Sequence, residues 1–216
     1  VQEMHDFVAL GFDLAFKYRN PAMILADGAI GQMMEKVVLA PQRPRKTNEE
    51  IAAECRDWAT YGKPADRPRN VVTSLELQSE AMEKINLRLQ DKYKAMEENE
   101  VRYEALACDD ADYVIVAFGS SARICSATVE MARAEGIRLG MLRPITLYPF
   151  PTRPIAELAA RVKGFLSVEL NAGQMVEDVR LAVNGVAPVE HFGRQGGMMF
   201  APDEVLAALK EKLIKK

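Results

Sequence analysis

Cysteine, histidine and tryptophan are scarce in this sequence, and each scarcity closes off a class of chemistry. Cys55, Cys108 and Cys125 are the only cysteines in 216 residues. An odd number of them, far apart and without CxxC spacing, gives neither a disulfide framework nor a cysteine metal site. They fit a reducing, cytoplasmic setting. His5 and His191, the two histidines, supply no ligand cluster, and no carboxylate ladder has cation-loop spacing, so no metal site is expected. There is no basic excess either. A formal charge of −3 leaves no footprint for nucleic acid or for an anionic membrane surface. No apolar run approaches the roughly 20 residues needed to span a bilayer. The opening VQEMHDFVALGF is helical in pattern and is not a signal peptide. It lacks an initiator Met and begins inside that pattern, so the chain is expected to be part of a longer polypeptide.

What is present is apolar material with regular punctuation. With 49% hydrophobic residues the chain can bury a core, in one large domain or two modest ones. Met4, Phe7, Val8, Phe12, Leu14 and Ala15 recur at mostly helical spacing up to Asn20-Pro21. The run Pro21 to Ala26 has no alternation and reads as a parallel strand buried on both faces, ending at Asp27-Gly28. The texture then changes. Pro41, Pro44, Pro64 and Pro68 stand among polar residues and mark an irregular connection. Beyond it Ser79 is expected to cap a charged helix of about six turns, whose packed stripe is Met82, Ile85, Leu89, Tyr93 and Met96.

From residue 112 onward, strands alternate with helices. Strands are expected at 113–118, 137–142, 164–170 and VEHFG, and helices at 121–135, 153–162, 174–183 and 203–213. Gly136 ends the first of these helices, and Pro202-Asp203 opens the last. The class is α/β with a mainly parallel sheet and right-handed crossovers. Three stretches could carry chemistry. Gly119, Ser120 and Ser121 follow the first strand, where backbone N–H groups could hold an anion; the same serines would equally serve as a helix cap. Glu169, Asn171 and Gln174 crowd the end of a later strand, the edge where α/β proteins place ligands, and read as loop caps, a subunit contact or a substrate contact. Arg143 is expected to pair with a carboxylate such as Glu169. Arg194, within GRQGG, sits in a loop that could be an anion pocket or a flexible rim. His191 just before it is expected to be a structural histidine with its hydrogen bonds satisfied, and His5 a surface one. Met33, Met34, Met175, Met198 and Met199 suit adaptable packing surfaces.

Six stretches in series, QEMHDFVALGFDLAFKYRNPAMILADGAIGQMME, NLRLQDKYKAMEENEVRYE, VIVAFGSSARI, LRPITLYPFP, VELNAGQMVEDVRLAVNG and HFGRQGGM, together resemble the alpha subunit of 2-oxoacid:ferredoxin oxidoreductases. Within that family the branched-chain type acting on 2-oxoisovalerate (3-methyl-2-oxobutanoate) is the nearest in pattern. The resemblance implies a transketolase-like architecture. Residues 1–45 would be the C-terminal part of a pyrimidine-binding-type domain, 46–109 an irregular linker with a connector helix, and 110–216 a transketolase C-terminal-like domain. It also implies thiamine diphosphate with Mg shared with or held by a beta subunit, iron–sulfur clusters in a gamma or delta subunit, coenzyme A as co-substrate and ferredoxin as electron acceptor. The reaction implied is oxidative decarboxylation of a 2-oxoacid to an acyl-CoA. No catalytic residue of the family has a counterpart in this chain, which alone is expected to be inactive. Other readings are a non-catalytic assembly module, or a member specific for 2-oxoglutarate or pyruvate. In this light Gly119, Ser120 and Ser121 read as a turn and cap.

Overall fold

The computed structural model describes residues 1–60, 62–63 and 65–215. Tyr61, Lys216 and one proline of the irregular region, Pro64, lie outside them. The first hundred residues form helices α1 (Gln2–Tyr18), α2 (Gly28–Gln32), α3 (Asn48–Glu54) and α4 (Ser79–Asn99), joined by chain without regular structure. Two compact units divide the chain. One comprises Gln2–Ala22 and Glu35–Lys92, the other Val1, Met23–Met34 and the residues from Tyr93 onward.

The first unit has α1 as its spine. Its amphipathic spacing is realised, but a single helix cannot bury its stripe alone, and Val8, Phe12 and Phe16 stay 49%, 66% and 55% exposed. The following chain is tied along it by polar contacts. Gln2 and Val38 exchange two bonds of 3.0 and 2.8 Å. The Ala40 N–H reaches His5 Nε2 at 3.3 Å, so His5 is half-buried and bonded, not a bare surface histidine. Arg43 grips Asp13 through both nitrogens at 2.6 and 3.0 Å. Phe16 meets Trp58 at 5.9 Å between ring centres, with the Arg19 guanidinium 5.2 Å from the same indole. Helix α3 arises inside the proline-rich region, where Thr47 and Glu50 close a capping box. Ser79 is the first helical residue of α4 and so lies inside the helix instead of capping it.

The expected strand at 21–26 does not form. The segment has no regular structure and pairs with no strand among the described residues, and Met23 and Leu25 are 82% and 62% exposed. An apolar run becomes a strand only when neighbours satisfy its N–H and C=O groups.

The second unit is built on five strands, β1 (Tyr103–Leu106), β2 (Tyr113–Val116), β3 (Leu139–Pro144), β4 (Gly164–Glu169) and β5 (Val189–Gly193), in the order β1-β3-β2-β4-β5. All neighbours are parallel except β1, which runs antiparallel to β3. The expected α/β class and mainly parallel sheet are therefore present. Helices α5 (Gly119–Ala134), α6 (Thr152–Ala159), α7 (Met175–Val183) and α8 (Pro202–Leu209) connect and cover it, and α8 runs into a π turn at Lys210–Ile214. Alternation along β2 splits the core. Ile115 and Ala117 join Cys125, Val129, Leu166, Val205 and Leu209 on the α5/α8 face. Val114 and Val116 join Leu142, Ile155, Phe165 and Val179 on the α6/α7 face. Each β2 residue from Val114 on is buried, as a central parallel strand requires.

Edge strand β1 is the element that sequence periodicity misses. All four of its side chains are exposed, so YEAL carries no alternation and reads as the tail of the charged helix. What makes it a strand is backbone pairing, from Tyr103 opposite Pro144 to Leu106 opposite Met141. The chain leaving β1 crosses β3 at Gly140, where a Cβ would stand 2.8 Å from the Ala107 carbonyl oxygen. Only glycine allows that approach.

Candidate functional site

The connection β2–α5–β3 moves outward on one side of β2, while β4–α7–β5 moves outward on the other. The strand order thus reverses between β2 and β4, and the carboxyl ends of those two strands are where a doubly wound sheet opens a crevice for ligands. Gly119, Ser120 and Ser121 follow one strand end. Glu169, Asn171 and Gln174 follow the other.

At the end of β2, Gly119 takes φ +58, a left-handed conformation that lets the chain turn directly into α5. Phe118 is the N-cap and makes no side-chain cap bond. Ser120 and Ser121 therefore sit within the first turn as helical residues, 6% and 5% exposed, and neither is the cap. The acceptor comes from elsewhere. Ser120 Oγ donates to Asp27 Oδ2 at 2.5 Å, while the other oxygen of the same carboxylate accepts the Ile30 N–H at 2.8 Å and caps α2. Burial would raise the Asp27 pKa. The Ser120 hydroxyl and the N–H groups of Ile30, Ala29 and Ser120 outweigh it and hold the carboxyl below its ordinary range. A carboxylate of the chain itself thus occupies the anion position at the α5 N-terminus.

The end of β4 repeats the arrangement. Glu169 is 2% exposed. Its Oε2 accepts the Gln174 and Met175 N–H groups at 3.0 and 2.8 Å, and its Oε1 accepts the Val176 N–H at 2.9 Å and the Ser167 hydroxyl at 3.0 Å. Burial pushes this carboxyl up in pKa, but those four donors together with the positive end of α7 bring it below the usual carboxylate value. Asn171 Oδ1 closes a tight turn by accepting the Gly173 N–H at 2.7 Å. Gln174 stands at the N-cap position, makes no side-chain cap bond and is exposed. His191 on β5 packs against Gly173. Its Nε2 is buried, 3.9 Å from Glu169 Oε1, and has no hydrogen-bond partner, so the expectation of a fully satisfied histidine fails at that atom.

Arg143 does not pair with Glu169. It lies on β3 against β1 and bonds Glu104 at 3.0 Å, because Arg143 and Glu104 are register partners across the antiparallel edge. Arg194 is held by Glu204, which also accepts the Ala201 N–H at the start of α8 at 2.8 Å. Its loop is pinned by this ion pair and is not a free rim. Asp27, Glu104 and Glu204 are the partners that reading the sequence overlooked. Asp27 alone had a local signal, an Asp ahead of a short apolar stretch, which is an N-cap pattern.

A thiamine diphosphate does not fit these loops, since internal carboxylates fill the two helix N-termini that would receive its phosphates. A thiolate-held cluster does not fit the three cysteines, which are buried singly and free. Among the described residues no three His, Cys, Asp or Glu side chains group to hold a metal ion, and no helix is long and apolar enough to cross a membrane. The arrangement as it stands builds two self-capped strand-to-helix turns beside a parallel sheet.

Comparison with known proteins gives this domain its relatives. Residues 111–205 match the pyruvate:ferredoxin oxidoreductase core domain II. The chain is 44% identical over 211 residues to the ketoisovalerate oxidoreductase subunit VorB of Methanothermobacter marburgensis, covering 98% of this chain and 58% of that protein. With the subunit of the same name from Methanothermobacter thermautotrophicus the identity is 45% over 213 residues, at the same coverage. The 2-oxoglutarate synthase subunit KorA of Methanothermobacter marburgensis is 34% identical over 225 residues, 95% of this chain and 60% of its own length. The chain therefore spans a little under three-fifths of these two ketoisovalerate subunits. Among solved structures, a 2-oxoglutarate:ferredoxin oxidoreductase from Magnetococcus marinus, with 2-oxoglutarate, coenzyme A and succinyl-CoA bound, superposes with a TM-score of 0.55 at 20% identity, over 63% of this chain and 24% of that one. That likeness concerns the fold.

Proposed function

We propose, from the premise that this chain belongs to the 2-oxoacid:ferredoxin oxidoreductase family, that it is part of the alpha-type subunit of an enzyme oxidising 2-oxoisovalerate to an acyl-CoA. The observation that carries the substrate is the gradient of identity. Two ketoisovalerate subunits of the VorB type stand at 44% and 45%, against 34% for a 2-oxoglutarate subunit over nearly the same span, while a ketoisovalerate subunit of the VorA type stands at 25%. In this reading residues 110–216 are the transketolase C-terminal-like domain and residues 1–45 the end of a pyrimidine-binding-type domain. The exposed apolar run at 21–26, which pairs with no strand among the described residues, agrees with a segment that completes a larger sheet.

The cofactors belong to partners. Thiamine diphosphate with Mg is assigned to a beta subunit, and iron–sulfur clusters to a gamma or delta subunit that delivers electrons to ferredoxin; coenzyme A takes the acyl group. When bound, the thiamine supplies the carbanion chemistry of decarboxylation. This chain contributes a rigid sheet domain and no reacting group, and the location is cytoplasmic. The test is viologen reduction by the assembly purified without oxygen through a tag on this polypeptide. Dependence on coenzyme A and highest activity with 3-methyl-2-oxobutanoate are expected. Faster turnover of 2-oxoglutarate or pyruvate would reassign the substrate, and recovery without a thiamine-binding partner would overturn the assignment.

A further inference from the structure

We draw no further inference here: the strongest candidate, the side-chain cluster of Ser167, Glu169 and His191 at the carboxyl ends of β4 and β5, where the buried His191 Nε2 has no hydrogen-bond partner among the described residues, belongs to the self-capped turn already described, whose carboxylate has its acceptor positions filled by three α7 N–H groups and the Ser167 hydroxyl.

Discussion

Replacing Glu169 by glutamine tests the self-capped end of β4 with the least change of shape. The side chain is 2% exposed, and its two oxygens accept four hydrogen bonds, from the N–H groups of residues 174, 175 and 176 and from Ser167. A glutamine amide must turn its NH₂ toward one pair of these donors, so two donors lose their acceptor and the negative charge at the α7 N-terminus disappears. A buried donor left unpaired costs about 1–3 kcal/mol. The Gln174 N–H lies at an exposed residue and can find water, so the net loss should be about 2–4 kcal/mol. With a urea slope of roughly 1–3 kcal/mol/M, the midpoint should fall by about 1–2 M. Far-UV circular dichroism and amide exchange in α7 are the suitable signals, because the single tryptophan, Trp58, lies in the unit built on α1. The pH dependence has a definite sign. The folded Glu169 pKa is depressed below its ordinary 4.5, so the wild-type advantage over Glu169→Gln is full above about pH 4.5 and fades as pH falls through the folded pKa. A stability difference under about 0.5 kcal/mol at neutral pH, or one that grows on acidification, would refute the account of Glu169 as the anionic cap of α7.

Two further outcomes are expected. Gly140→Ala places a methyl 2.8 Å from the Ala107 carbonyl oxygen and should cost about 1–3 kcal/mol by overpacking against backbone. Gly136→Ala, with nothing within 4 Å but φ +81, should cost only about 1–2 kcal/mol of left-handed strain; amide exchange across β1 and β3 separates them, since only the first should loosen that pairing. Cys125 is 0% exposed, and burial pushes its thiol pKa up to about 12. At pH 8 iodoacetamide should label it at least roughly 100-fold more slowly in the native chain than in urea, where an ordinary thiol near 8.5 reacts. Peptide mass spectrometry reads this directly, and native labelling at the unfolded rate would contradict the packing of α5 on the sheet.

The sequence by itself determined the helices with a repeating stripe and the strands buried on both faces. Periodicity and continuous apolar runs report which faces can leave water; β2 and β4 do so within a few neighbouring residues, while α1 and α4 carry the stripe but bury none and one of their residues respectively. The same local signals located the two strand ends at the switch point, because glycine, serine, asparagine and glutamate gather where the chain must turn. Tertiary structure decided everything that depends on a distant partner. Tyr103 to Leu106 is a strand only because β3 offers it a backbone edge, and Pro21 to Ala26 is not one because no described strand does. Arg143 takes Glu104 in place of Glu169 because sheet register sets them opposite each other. Ser120 is claimed by a carboxylate 93 residues away. Side-chain chemistry names the groups able to bond, but only the fold brings one donor to one acceptor. At both strand ends that choice went to the chain's own carboxylates.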